Sequence, residues 1–325
     1  MRVLVTGGAG YIGSVTANHL SEQGLQVEII DDFSTGHQDA LPAGILCHAG
    51  SIADPDVLAR AFRRPFDAVI HFAAFSLVAE SMHEPFKYYR NNVAGTLRLL
   101  EHVVASGVRR FVFSSSAAVY GEPEELPIPE SAPLNPVNPY GRTKLAMEWL
   151  LADAARTYGV AAVALRYFNA AGAVGKLGED HRPESHLIPN LLASILRPER
   201  EFHLFGDDYP TPDGTCIRDY IHVADLATAH LAALRWADRP GLTAINLGTA
   251  RGCSVREVID AAIRATGRSI NPAVGPRRAG DPARLVAAGE KARDLLGWRP
   301  LRSDIDTILA DAWRWHQAHP DGFSA

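Results

Sequence analysis

Lysine is scarce in this chain: of 32 basic residues only Lys87, Lys144, Lys176 and Lys291 are lysines, and no run of them forms a basic tract. With a net charge of −5, that argues against a nucleic-acid surface. Cysteine is scarcer still. Cys47, Cys216 and Cys253 show neither metal-ligand nor redox spacing, so a disulfide framework is not expected, and no metal is expected at the functional site. No apolar run approaches the ~18–20 residues that a membrane helix needs. An apolar run opens almost at residue 2, leaving no room for a signal peptide, and a cytoplasmic enzyme is the expectation. At 325 residues the chain is long for one compact core, which favours a large domain with a smaller companion.

What is present begins with V-L-V-T-G-G-A-G-Y-I-G, residues 3–13. Val3 to Val5 reads as a strand buried on both faces, and Ser14 to Leu20 as a helix. Between them lie Gly7, Gly10 and Gly13, the pattern of a dinucleotide-binding turn. Gly7 permits the tight turn, Gly10 lets backbone approach a pyrophosphate, and Gly13 lets helix and sheet pack closely. The helix N-terminus offers free N–H groups to the phosphates. The next strand, Gln26 to Ile30, ends in Asp31-Asp32. An acidic residue about 20 positions beyond the glycines accepts hydrogen bonds from an adenosine ribose and repels a 2′-phosphate, which favours NAD over NADP. Asp31 is the candidate; Asp32 reads equally well as a solvated turn carboxylate.

Strands and helices alternate through the first half, the signature of an α/β Rossmann-type, doubly wound parallel sheet. Strands are expected at 44–48, 68–72, 110–114 and 160–166, with helices at 54–62, 84–106 and 140–158. Residues 170–185 read as a loop laid over something. Helices follow at 187–196 and 223–236, a short strand at 201–205, and a strand at 244–247 that could return to the main sheet. The remainder predicts helices at 254–265, 290–296 and 303–319 around a loop at 275–282. The expected division is a cofactor domain over 1–170, rejoined by about 219–249, and a mainly substrate-binding domain over 171–325.

The sharpest catalytic signal is Tyr140-Gly-Arg-Thr-Lys144. Residues four apart share a helix face. A tyrosine with an ordinary pKa near ~10 is a poor base at neutral pH, and a nearby ammonium favours its phenolate. Such a pair takes a proton from an alcohol while hydride leaves the same carbon. Ser114-Ser115-Ser116 follows the fifth strand, where open α/β sheets bind ligands, and Ser116 is the candidate to hydrogen-bond the reacting oxygen.

These stretches, with R-Y-F-N-A-A-G at 166–172, resemble the extended short-chain dehydrogenase/reductase superfamily. Within it, H-F-A-A-F-S-L-V-A-E-S, N-N-V-A-G-T-L-R-L-L, F-G-D-D-Y-P-T-P-D-G-T-C-I-R-D-Y-I-H-V and P-R-R-A-G-D are similar to the UDP-glucose 4-epimerase family. The resemblance implies bound NAD, oxidation at C4 of a UDP-sugar, rotation of the 4-keto sugar and re-reduction. It implies catalytic roles for Tyr140, Lys144 and Ser116. Cofactor contacts are implied at Gly7, Gly10, Tyr11, Ile12, Gly13, Asp31, Ser51, Ile52, Phe72, Ala73, Ala74, Asn91, Ser114, Tyr140, Lys144 and Tyr167. Substrate contacts are implied at Ser116, Tyr140, Asn169, His186, Leu187, Phe205, Arg218, Arg278, Asp281 and Leu285. Phe205 would meet the uracil, and Arg218 and Arg278 the diphosphate, as suits fork-shaped donors and a dianion. Leu285, four places after Asp281, would border the sugar's 2-substituent.

The sequence departs from the family pattern at Ser51, where an aspartate often meets adenine, at Ser76, which replaces a lysine, and at Ala118, which replaces a threonine. His186 stands where an asparagine is common; it suits a phosphate donor or a simple helix cap. A homodimer is implied through helices 84–106 and 140–158. Three rivals remain: a 4-epimerase of an N-acetylated or glucuronate UDP-sugar, a nucleotide-sugar 4,6-dehydratase, and a non-enzymatic NAD-sensing regulator on the same fold, which would tend to lose the Tyr140–Lys144 pair that is intact here. The dehydratase needs carboxylates after the fifth strand, where Ser116-Ala117-Ala118-Val119 has none.

Overall fold

The structure is a computed structural model and describes residues 1–278 and 281–324. The P-R-R-A-G-D stretch therefore lies partly outside the described residues, at 279–280. Six strands, β1 (Arg2–Thr6), β2 (Gln26–Asp31), β3 (Leu46–Ala49), β4 (Ala68–His71), β5 (Arg110–Ser116) and β6 (Ala161–Tyr167), join a seventh, Gly241–Leu247, in one parallel sheet. The order is the seventh strand, then β6, β5, β4, β1, β2 and β3, so the chain reverses direction between β1 and β4. That switch point is where such sheets open a crevice beyond the strands' carboxyl ends.

Side chains on a strand alternate between faces, which explains the apolar runs. Val3 and Val5 join Val27, Ile70, Val163 and Ile245 under helices α1 (Tyr11–Glu22) and Val223–Trp236. Leu4 joins Val69, Phe111 and Phe113 on the other face, beneath Leu99, Val103, Met147 and Leu151. Each fully buried side chain of this size contributes ~1.5–3 kcal/mol, so the two layers carry much of the folding free energy. A separate core forms among helices Leu187–Leu196, Val255–Thr266 and Ile305–Ala318, around Leu191, Leu192, Val258 and Trp313.

Several elements differ from expectation. The first helix begins at Tyr11, three residues before the sequence reading, because Gly10 is already its extended N-cap. The expected helix over 84–106 is not one piece. An unforeseen helix, Val78–His83, ends at Glu84, since a residue before proline disfavours helical ψ. The chain then runs through Pro85–Tyr88, a widened π-type turn at Tyr89–Ala94, and Gly95–Ala105. Within 170–185 the only strand is the start, Asn169–Ala171, which pairs with Tyr220–His222 outside the main sheet. The return to the main sheet is made by 241–247 alone, in register with β6. No helix among the described residues is long and apolar enough to cross a membrane.

Candidate active site

A cleft of about 690 Å³ opens at the carboxyl ends of β1, β2, β4, β5 and β6. Its floor is the glycine loop. Gly7 takes a positive φ of 72°, and a Cβ there would sit 2.6 Å from the Ala73 nitrogen, so only glycine lets this turn nestle against the end of β4. A Cβ on Gly13 would overlap the Gly7 carbonyl. Gly13 thus packs on the loop itself and not on the sheet, while Gly8, absent from the triplet argument, lies against Ile29. Gly10 differs: a Cβ there would meet nothing closer than the Gly7 oxygen at 3.4 Å, and its open side faces the cleft. The α1 N-terminus carries no side-chain cap and no acidic residue in its first turn. An uncapped, acid-free helix end beside that space fits a dinucleotide pyrophosphate.

Asp31 is buried at the end of β2, its carboxylate accepting the Ala9 N–H and the Phe33 N–H at 2.8 Å each. Burial pushes its carboxyl above the ordinary value, and the two backbone N–H groups offset part of that rise. Asp31 therefore fastens the glycine loop to β2 as well as facing the cleft. Asp32 is exposed and accepts from the Ser34 N–H, as a turn carboxylate does. Tyr11, Ile12, Ser51, Ile52, Phe72, Ala73, Ala74 and Asn91 all line the cleft. Ser51 also accepts the Ala53 N–H at 3.1 Å, and Tyr11 donates to the Gly172 carbonyl at 2.6 Å.

The far end of the cleft is set by the helix Pro139–Tyr158. Asn138 caps it by accepting the Gly141 N–H at 2.8 Å, Pro139 occupies the first turn, and left-handed Gly159 ends it. Tyr140 and Lys144 lie one turn apart on its cleft face, with the ammonium 5.8 Å from the Tyr140 ring centre. Lys144 is buried and donates to the Ser114 carbonyl at 2.8 Å. Burial pulls its pKa down to about 7, against the charge of Glu148, which raises it. Burial raises the Tyr140 phenol, and the Ser116 hydroxyl beside it pulls the other way. At the Tyr140 phenol desolvation outweighs the Ser116 hydrogen bond.

The three serines separate clearly. Ser116 lines the cleft, accepts the Ala118 N–H and has its hydroxyl beside the Tyr140 phenol. Ser114 accepts the Tyr167 hydroxyl. Ser115 points away and donates to Glu148 at 2.5 Å. Two polar positions that the sequence did not single out hold this end in place. Asn92 binds both the Phe75 N–H and carbonyl and donates to Thr143, while Ser81 accepts the Tyr140 N–H. An asparagine inside a helical pattern carries no sign of such a clamp.

Asn169, His186 and Leu187 also line the cleft. His186 precedes the helix Leu187–Leu196 but makes no cap bond. Its Nδ1 lies 3.0 Å from Glu179 and 3.1 Å from Glu184. The other expected substrate residues gather in two contacts outside the cleft wall. Arg218 donates to Asp281 at 2.6 Å, and the Arg278 guanidinium stacks 4.2 Å over the Phe205 ring. Leu285, on a two-residue strand beside Ile217–Arg218, packs with Phe168 against Ala117, Val119 and Tyr120. Phe168 lines the cleft, and Leu285 does not. Ser76, Phe75, Lys87 and His181 line the cleft without having been assigned contacts.

The profile of the NAD dependent epimerase/dehydratase family matches residues 3–248. A UDP-glucose 4-epimerase of Streptomyces lividans is 52% identical over 99% of this chain and 98% of its own. The crystal structure of UDP-glucose 4-epimerase from Brucella ovis in complex with NAD has a TM-score of 0.92 at 49% identity, covering 96% of this chain and 97% of that one. That from Bifidobacterium longum in complex with NAD⁺ and UDP has a TM-score of 0.94 at 39% identity, covering 99% and 100%. The chain belongs to the NAD dependent epimerase/dehydratase family, and its likeness to the UDP-glucose 4-epimerases runs its full length.

Proposed function

We propose that the protein interconverts UDP-galactose and UDP-glucose. The observation that carries this reading is the convergence of Tyr140, Lys144 and Ser116 at one end of a cleft whose other end is the glycine loop and Asp31. Bound NAD⁺ would supply the hydride acceptor for sugar C4 and the hydride donor for re-reduction of the turned 4-keto sugar. Tyr140 takes the 4-hydroxyl proton, and Ser116 hydrogen-bonds the same oxygen. Lys144 binds the nicotinamide ribose and favours the phenolate. Asp31 accepts the adenosine ribose hydroxyls. Phe205 meets the uracil, Arg218 and Arg278 hold the diphosphate with Asp281 orienting Arg218, and Asn169, His186 and Leu187 complete the substrate wall. Residues 1–170 with the returning strand hold the cofactor, and 171–325 mainly hold the UDP-sugar.

Following products by NMR tests the reaction. UDP-galactose should yield UDP-glucose, and the N-acetylated pair should react more slowly. A leucine in place of a larger side chain at 285 alters discrimination by only ~1–3 kcal/mol, a preference and not a barrier. Leu285→Tyr should widen the ratio of kcat/KM between the two pairs; an unchanged ratio removes Leu285 from the sugar pocket. Conversion of UDP-glucuronate in place of UDP-galactose would reject the substrate, and a dehydrated 4-keto product would reject the reaction class.

The same reading includes a cytoplasmic homodimer. Phe86, Tyr89 and Leu97 on the 85–105 helical run and Trp149 on Pro139–Tyr158 are exposed apolar side chains on the two elements expected to form a four-helix contact. Light scattering at micromolar concentration should report twice the chain mass; a stable monomer would exclude the contact.

A further inference from the structure

Between the cleft and the C-terminal helix, residues 173–186 lie as a strap over the glycine loop. The strap's backbone is firmly held. The Trp315 indole donates to the Lys176 carbonyl at 3.0 Å, His37 lies 3.0 Å from the Asp180 carbonyl, and the Asp180 carboxylate accepts the Phe323 N–H at 2.9 Å. On its inner side Glu179, His181, Glu184 and His186 bring four donor atoms together, all within 4.8 Å of one another. Glu179, His181 and His186 line the cleft.

Hydrogen bonding leaves this cluster incomplete. The buried His181 Nδ1 stands 3.4 Å from Glu179 and 3.6 Å from Glu184 and makes no hydrogen bond. The buried Oε2 of Glu184 has no partner either. The imidazole nitrogen thus has only long charge contacts to the two carboxylates, and Glu184 Oε2 has no hydrogen-bond partner among the described residues, an arrangement that a shared ligand would complete. Taking one donor atom from each residue, with Glu184 offering its unpartnered Oε2, the nitrogen-to-oxygen separations of 3.0, 3.4 and 3.6 Å lie around the ~3.4 Å edge of a tetrahedron with bonds of ~2.0–2.1 Å.

We infer that Glu179, His181, Glu184 and His186 form a binding site for one divalent first-row metal ion of the zinc type. Two imidazoles and two carboxylates suit such a cation better than Mg²⁺ or Ca²⁺, which prefer all-oxygen shells. Two carboxylates and two neutral imidazoles sum to −2, which one such ion neutralises, so the cleft wall gains no excess charge. Four protein ligands within eight residues make a closed, structural site. The ion clasps the strap over Tyr11 of the glycine loop, whose ring stands edge-on to His181. The sequence reading expected no metal and gave His186 a substrate contact or a helix cap. Without an ion, the same four groups form a charged network: burial lowers both imidazoles, and the carboxylates outweigh it, raising His181 to about 9 and His186 to about 10.

Co²⁺ titration of the untagged, chelator-stripped chain tests the site directly. One equivalent should produce the intense visible bands of tetrahedral Co²⁺, and Zn²⁺ should abolish them by displacement. Removing a ligand should weaken Zn²⁺ binding at least ~100-fold, since even partners of ligands cost 10–100-fold. His181→Ala and Glu184→Gln each probe this by equilibrium dialysis. Weak octahedral spectra from the wild type, or Zn²⁺ affinity unchanged in both variants, would overturn the site. The wild-type spectrum decides even where a variant fails to fold.

Discussion

Tyr140→Phe should lower kcat by at least ~10²–10⁴-fold while leaving UDP-sugar affinity nearly unchanged. The phenol shares the cleft end with Ser116 and Lys144, whereas the proposed nucleotide anchors, Phe205, Arg218 and Arg278, lie outside that wall. The phenylalanine keeps the ring's packing, and the Tyr140 backbone stays tied to Ser81. Steady-state kinetics with calorimetric UDP binding separate the two effects. Turnover near the wild-type value would mean that another group takes the proton.

Glu148→Gln should be the most destabilising single change near the site. Glu148 and Arg166 are both almost wholly buried, joined at 2.9 and 2.5 Å, with Ser115 donating to the same carboxylate. Arg166 extends the network to the Tyr120 hydroxyl, which donates in turn to Asn246. Removing one charge leaves the other buried and unpaired, at a cost of ~3–5 kcal/mol, readable as a shift in denaturant midpoint. Replacing both partners, as Glu148→Leu with Arg166→Met, should recover most of it, because a well-packed apolar pair is often neutral. A loss below about 1 kcal/mol in the single variant would show that water reaches the pair.

A second consequence reaches Lys144, one helical turn before Glu148. The Glu148 charge opposes the desolvation that brings Lys144 to about 7. Without it the lysine pKa falls further, so the charged form survives only at lower pH. The alkaline limb of the activity profile should therefore move down in pH in Glu148→Gln. The purely structural double variant should share that shift although its stability is restored.

Local physics determined much of this protein from sequence alone. Apolar runs alternating with helical periods dictate a parallel sheet, because strands buried on both faces need no polar alternation. The glycines declare themselves since only glycine tolerates the φ of Gly7 or the contact at Gly13. Tyr140 and Lys144 were legible because a spacing of four on a helix fixes a shared face whatever surrounds it.

Tertiary structure decided what depends on neighbours distant in the chain. Whether Ser114, Ser115 or Ser116 faces the cleft follows from the last residues of one strand and from Glu148, 33 residues beyond Ser115. The depressed lysine and the raised tyrosine follow from desolvation, which depends on packing and not on residue type. The pairing of Arg218 with Asp281, 63 residues apart, gives the arginine an orientation that its position in the sequence does not. Likewise, Glu179, His181, Glu184 and His186 are close in sequence, but their donor atoms converge only because Trp315, His37 and Phe323 hold the strap's backbone from outside it. Spacing can bring such residues near one another. Where their side chains point is set by what the backbone is fastened to.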